Sequence, residues 1–131
     1  MIVQTGDKIQ RPGPIGTWHV GIYLGRDYLG RDWVIHNDKG GYVKEDLLLT
    51  FSAGFPVTLV QRVASTWREQ QQIVARARAL LGQKFDLIGF NCEHFANYAQ
   101  TGKAHSTQLR FAVGTTALLA LFAIILSSSE A

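Results

Sequence analysis

Residues 109–126 carry one charge, Arg110, and none lies between Phe111 and Leu126. As a helix these 18 residues span about 27 Å, close to the ~30 Å hydrocarbon thickness of a bilayer. Gly114, Thr115 and Thr116 are compatible with such a helix. The competing reading is a buried core helix. A helix apolar on all sides needs protein around it, and the ~108 residues before it can hardly enclose one. Lys103 and Arg110 precede the run, and only Ser127-Ser128-Ser129-Glu130-Ala131 follow it. The positive-inside rule then places the preceding residues in the cytosol. The expectation is a folded domain over 1–108, a single transmembrane anchor over 109–126 and a short tail over 127–131.

The 131 residues suit one domain with one core. Net charge is +3, and the 13 Lys and Arg are scattered rather than gathered into a stripe, so a nucleic-acid partner is not expected. The single Cys excludes an intramolecular disulfide framework and a Cys-rich zinc site. A free thiol suits a reducing compartment. The N-terminal residues lack the basic segment and apolar run of a secretory signal.

The first half reads as short strands at 7–10, 18–24, 33–36 and 57–63, broken by Pro12-Gly13-Pro14, Gly25, and Asn37-Asp38-Lys39-Gly40-Gly41. No helical pattern separates the early strands, which favours antiparallel pairing. The period then changes. Thr66 and Glu69 form a capping box, and Ile73, Ala77 and Leu80 fall on one helical face with Val74 and Leu81 beside them. Gly82 is the expected stop. Arg76 and Arg78 read as a solvated face. A second helix is expected over 91–101, with Phe95, Ala96 and Ala99 as its buried stripe. Strands followed by helices argue an α+β fold, a small antiparallel sheet packed with helices.

Phe90-Asn91-Cys92-Glu93-His94-Phe95 holds the most chemistry. Cys92 falls where a helix begins. Unpaired N–H groups there favour an anion, lower a thiol pKa and can hold an oxyanion. A free Cys is also a common small core residue, and composition alone leaves both readings open. A nucleophilic Cys needs a base. His19 begins one strand and His36 ends the next, so adjacent antiparallel strands could bring the two imidazoles together near one edge of the sheet. Each alone is as well explained as a satisfied strand-end histidine. His94, two residues from Cys92, points elsewhere on a helix and reads as structural, and His105 reads as solvated. His19, His36 and Cys92 could also hold zinc, but no paired-ligand spacing supports it. No phosphate loop is present, and no cofactor is expected.

Three segments together, His19-Val20-Gly21-Ile22-Tyr23-Leu24-Gly25, Val34-Ile35-His36 and Asn91-Cys92-Glu93-His94-Phe95, resemble the lecithin:retinol acyltransferase-like family. That family includes the H-Ras-like suppressor phospholipases and acyltransferases. Gly6-Asp7-Lys8-Ile9, Arg11-Pro12-Gly13 and Gly102-Lys103-Ala104 are also similar, so the resemblance covers nearly the whole chain. It implies a permuted NlpC-type papain-like fold, with His ahead of Cys. It implies Cys92 as nucleophile, His19 as general base and His36 as the group orienting that base. The implied substrate is a phospholipid acyl donor held in a membrane bilayer, with water, an amine or an alcohol as acceptor. Residues 26–33 are longer than the family pattern, which suggests an extended hairpin that keeps His36 in register. Nothing between His36 and Cys92 supports retinol as acceptor.

The expected activity is that of a membrane-anchored thiol acyltransferase or phospholipase A. The alternatives are a cysteine peptidase or amidase of the same fold, and an inactive membrane-tethered interaction module.

Overall fold

A computed structural model describes residues 2–38, 41–83 and 92–103. Five strands form one antiparallel sheet: β1 (Lys8–Pro12), β2 (Trp18–Arg26), β3 (Asp32–Asn37), β4 (Val43–Leu47) and β5 (Thr58–Gln61), in the order β4-β3-β2-β1-β5. Among the described residues three α-helices accompany it, α1 (Leu48–Ser52), α2 (Trp67–Ala79) and α3 (Cys92–Thr101), with a short 3-10 turn at Pro14–Gly16. The α+β class expected from the sequence is the one observed. β4 and α1 have no counterpart in the sequence reading. Among the described residues no helix is long and apolar enough to cross a membrane, and the span expected over 109–126 lies outside them.

The sheet has cover on both faces, which explains why β2 is apolar almost without alternation. Val20 and Ile22 of β2 and Ile35 of β3 pack under α2 and α3, against Ile73, Ala77, Leu80, Phe95, Ala96, Tyr98 and Ala99. Tyr23, Val34 and Ile9 face the other way and pack around Phe51 of α1. The pleat assigns the two sets, because successive side chains point to opposite faces. Gly21 lies on the Phe51 face. A Cβ there would sit 2.7 Å from Val34 Cγ1 and 3.1 Å from Phe51 Cε2, so the close approach of α1 requires glycine.

α2 starts at the expected cap: the Thr66 hydroxyl accepts from the Glu69 N–H at 3.1 Å. Ile73, Val74, Ala77 and Leu80 are buried, whereas Leu81, two residues past the end of α2, is exposed. Arg76 corrects the expectation of a solvated face. Its guanidinium donates to the carbonyls of Ala99 and Gln100 at 2.8 and 2.9 Å. Those groups lie in the last turn of α3, where carbonyls lack helical partners and a cation is favoured. Arg78 is exposed and pairs with Glu45 at 2.6 Å. Phe95, Ala96 and Ala99 form the buried stripe of α3, as expected. Two further bonds fix α3 on the sheet: Lys8 Nζ donates to Asn97 Oδ1 at 2.7 Å, and Gln100 Nε2 donates to the Gly6 and Gln61 carbonyls at 3.1 and 3.0 Å.

Residues 27–31 join β2 to β3 as a self-contained turn. The Asp27 carboxylate accepts from the Leu29 and Arg31 backbone N–H groups, from Arg31 Nε and from Trp33 Nε1, all within 2.9 Å. These donors hold its carboxyl far below the usual carboxylate range, the Trp33 N–H contributing most. The pairing Gly21–His36 keeps His36 in the expected register.

Candidate active site

His19 is the second residue of β2, and His36 is the next-to-last residue of β3. The strands run antiparallel, so these positions lie at the same end of the sheet, on the face that carries Phe51. His19 Nε2 is 2.8 Å from His36 Nδ1, with the rings at 88°. The sequence placed the pair near an edge of the sheet. The strand order corrects this, because β2 is the central strand and β3 lies between β2 and β4.

A third group, which the sequence reading missed, extends the pair. His36 Nε2 lies 2.7 Å from Asp46 Oδ2 on β4. Asp46 pairs across the sheet with Val34, so its side chain emerges on the Phe51 face beside His36. The only sequence signal was a carboxylate in a short stretch that follows the histidine strand. Aspartate is uncommon inside strands, and that can mark a functional position.

Chemistry fixes the direction of these contacts. A carboxylate only accepts, and a neutral imidazole has one donor and one acceptor nitrogen. With Asp46 accepting, His36 donates from Nε2 and accepts at Nδ1. His19 then donates from Nε2, and its lone pair lies on Nδ1. Burial pushes His36 below its ordinary value, against the opposing pull of Asp46 and Asp38, so the ring is neutral at neutral pH. His36 is 3% exposed.

Phe51 is the wall of the site. Its ring centroid is 5.2 Å from that of His19 and 5.3 Å from that of His36. Buried Arg11 secures it by donating from Nε to the Phe51 carbonyl at 2.6 Å, with the guanidinium 5.9 Å from the ring centroid.

Cys92 is the first residue of α3. The helix packs on the Val20 face, opposite to the face that holds the histidine pair. Its first turn lies at the end of the sheet where β2 begins. Glu93 lines a cavity of about 330 Å³ there with Lys8, Gln10, Thr17, Trp18, Val20 and Val60. Burial lowers the Lys8 pKa, and Glu93 opposes the shift. A larger apolar cavity of about 440 Å³ lies beside α1, between Leu47, Leu48, Leu49, Val57 and the start of β3. His94 is buried, which lowers its pKa, as suits the structural role expected of it. His105 lies outside the described residues. Among the described residues no group of His, Cys, Asp and Glu is arranged to hold a metal ion.

The family model described as lecithin retinol acyltransferase matches residues 2–105. A search of curated proteins found no match.

Proposed function

Because the chain belongs to the lecithin retinol acyltransferase family, we propose that it is a thiol acyltransferase or phospholipase A that moves an acyl chain from a phospholipid ester through a thioester on Cys92. The family supplies the reaction class, acyl transfer between lipids. The observation that supports the finer reading is the contact from His19 through His36 to Asp46, an arrangement in which Nδ1 of His19 can act as the base.

His19, at the start of β2, and Cys92, at the start of α3, act together around the end of the sheet rather than across its face. Nδ1 of His19 takes the thiol proton, and the sulfur attacks the ester carbonyl. Backbone N–H groups in the first turn of α3 favour the thiolate and the oxyanion that forms next. The carbon–oxygen bond to the glycerol breaks, and His19 returns its proton to the departing lysophospholipid oxygen. Water, an amine or an alcohol then gives a proton to His19 and attacks the thioester, releasing the thiol. The cavity between Trp18, Val20 and Val60 offers apolar contact at the mouth of this site. A membrane anchor over 109–126, with the domain on the cytosolic side, would keep the enzyme beside a substrate that stays in the bilayer and raise its effective concentration.

The test is intact mass spectrometry of the detergent-solubilised chain after mixing with phosphatidylcholine. A fatty-acyl adduct is expected on the wild type and none on Cys92→Ala. An adduct that survives in Cys92→Ala overturns the mechanism. A wild type that gives neither adduct nor lysophospholipid, but cleaves peptide substrates, makes it a cysteine peptidase. A thiol of ordinary reactivity, titrating with iodoacetamide near ~8.5 and inert to both substrates, makes it an interaction module.

A further inference from the structure

We propose that Asp46 is a positioning residue that sets the direction of proton donation along the His36–His19 pair and thereby decides which nitrogen of His19 is basic. This rests on the reading of His19 as general base.

Two neutral imidazoles joined Nε2 to Nδ1 can donate in either direction. In one, His19 Nε2–H donates to His36 and the lone pair sits on His19 Nδ1. In the other, His36 Nδ1–H donates to His19 and Nδ1 of His19 carries the hydrogen, so the ring has no base to offer on that side. The pair alone does not choose between them. Asp46 does, because the second arrangement turns the His36 Nε2 lone pair onto a carboxylate oxygen 2.7 Å away. Two acceptors facing each other at that distance, one of them on a buried ring, are strongly disfavoured. The site has no easy escape. Phe51 lies against both rings, and His36 is too buried for water to take over as acceptor.

The charged and titratable groups around His36 are consistent with this role. His19 faces it from β2, and Asp46 and Lys44 face it from β4. Asp38 follows it on the chain, and Arg11, the cross-strand partner of His19 on β1, lies against Phe51. Lys44 is exposed and divides its contacts between Asp38 at 3.2 Å and Asp46 at 3.4 Å. Asp46 uses Oδ2 for both His36 and Lys44. It is therefore the acceptor that orders the pair.

The experiment uses the full chain in detergent, with nitrogen-15 NMR of the histidine rings and steady-state kinetics on phosphatidylcholine micelles. In the wild type, neutral His19 and His36 are expected as Nε2–H tautomers. Asp46→Leu should move His19 toward Nδ1–H and lower kcat roughly 100-fold, with KM changed less than about 2-fold. Asp46→Glu should restore the tautomer and most of kcat. Asp46→Asn matches aspartate in shape and carries the test if the leucine variant does not fold. Without the negative charge, the imidazolium of His19 loses support through the pair, so the acidic limb of its kcat/KM profile should move to lower pH. A purely structural role predicts lower thermal stability with tautomers and pH limb unchanged, and that result overturns the proposal. The tautomers are read without substrate. A wild type that orders them as stated but forms no acyl-enzyme defeats the thioester reading and leaves the role of Asp46 standing.

Discussion

Arg76 joins two helices through groups that carry no side-chain label. Its guanidinium sits at the end of α3 and accounts for the Ala99 and Gln100 carbonyls. Burial lowers its pKa, but an arginine starts so high that it stays charged. Arg76→Met keeps much of the aliphatic stem and removes both bonds. The expected cost is about 2 kcal/mol, read as a lower denaturant midpoint with an unchanged slope. An unchanged midpoint would show that water replaces the guanidinium at no cost. The same residue shows where sequence reading stops. Arg76 and Arg78 look alike on a helical wheel, and only one meets a helix terminus from elsewhere in the chain. Asp46 is similar. A carboxylate between Glu45 and Leu47 reads as surface until β4 is known to lie beside β3. His19, His36 and Cys92 stood out because each is a rare reactive type at the end of an expected element.

At the scale of elements, β2 and β3 were legible as short apolar runs bounded by turn residues, and α2 and α3 by their helical period and a clear stop. β4 and α1 were not. Val43-Lys44-Glu45-Asp46-Leu47 has apolar residues only at its ends, and the Leu48-Leu49 that opens α1 reads equally as a continuing strand. What places α1 is tertiary: Phe51 fits over Gly21, and Arg11 holds its carbonyl. Gly21→Ala tests that fit. The added methyl must displace Phe51 or Val34, so a loss of about 1–3 kcal/mol is expected, together with a fall in acylation rate as the wall of the histidine pair shifts. Thermal melting and adduct formation check the two effects separately. A variant that melts lower but acylates at the wild-type rate would show that Phe51 packs without positioning the histidines.

For the whole molecule, two buried histidines govern the response to mild acid. Burial lowers the pKa of both His36 and His94 from the ordinary value of 6.5. On acidification the unfolded chain takes up these protons first. The stabilisation is thus complete above the unfolded value and is lost as pH falls from there toward the lower folded values. Asp27, Asp32 and Glu69 have depressed values too, but they release their contribution only in the more acidic carboxylate range. Melting temperature should therefore decline in a first step just below pH ~6.5, ahead of the carboxylate step. His94→Gln should shrink that first step. A flat profile down to pH ~5 would show that both rings gain their protons in the folded state.

The Asp27 turn gives the molecule a spare end. His19 stands seven residues before the end of β2 and His36 pairs beside Gly21, so the turn lies about 17–23 Å from the histidines along the strand. The turn closes on its own carboxylate and leans on nothing near the site, while Tyr28 is 96% exposed at its tip. Residues can be inserted, or a fluorophore or tether hung, at that tip without disturbing the end that holds the histidines. This hairpin is thus a natural handle for immobilising the protein with its histidine end outward.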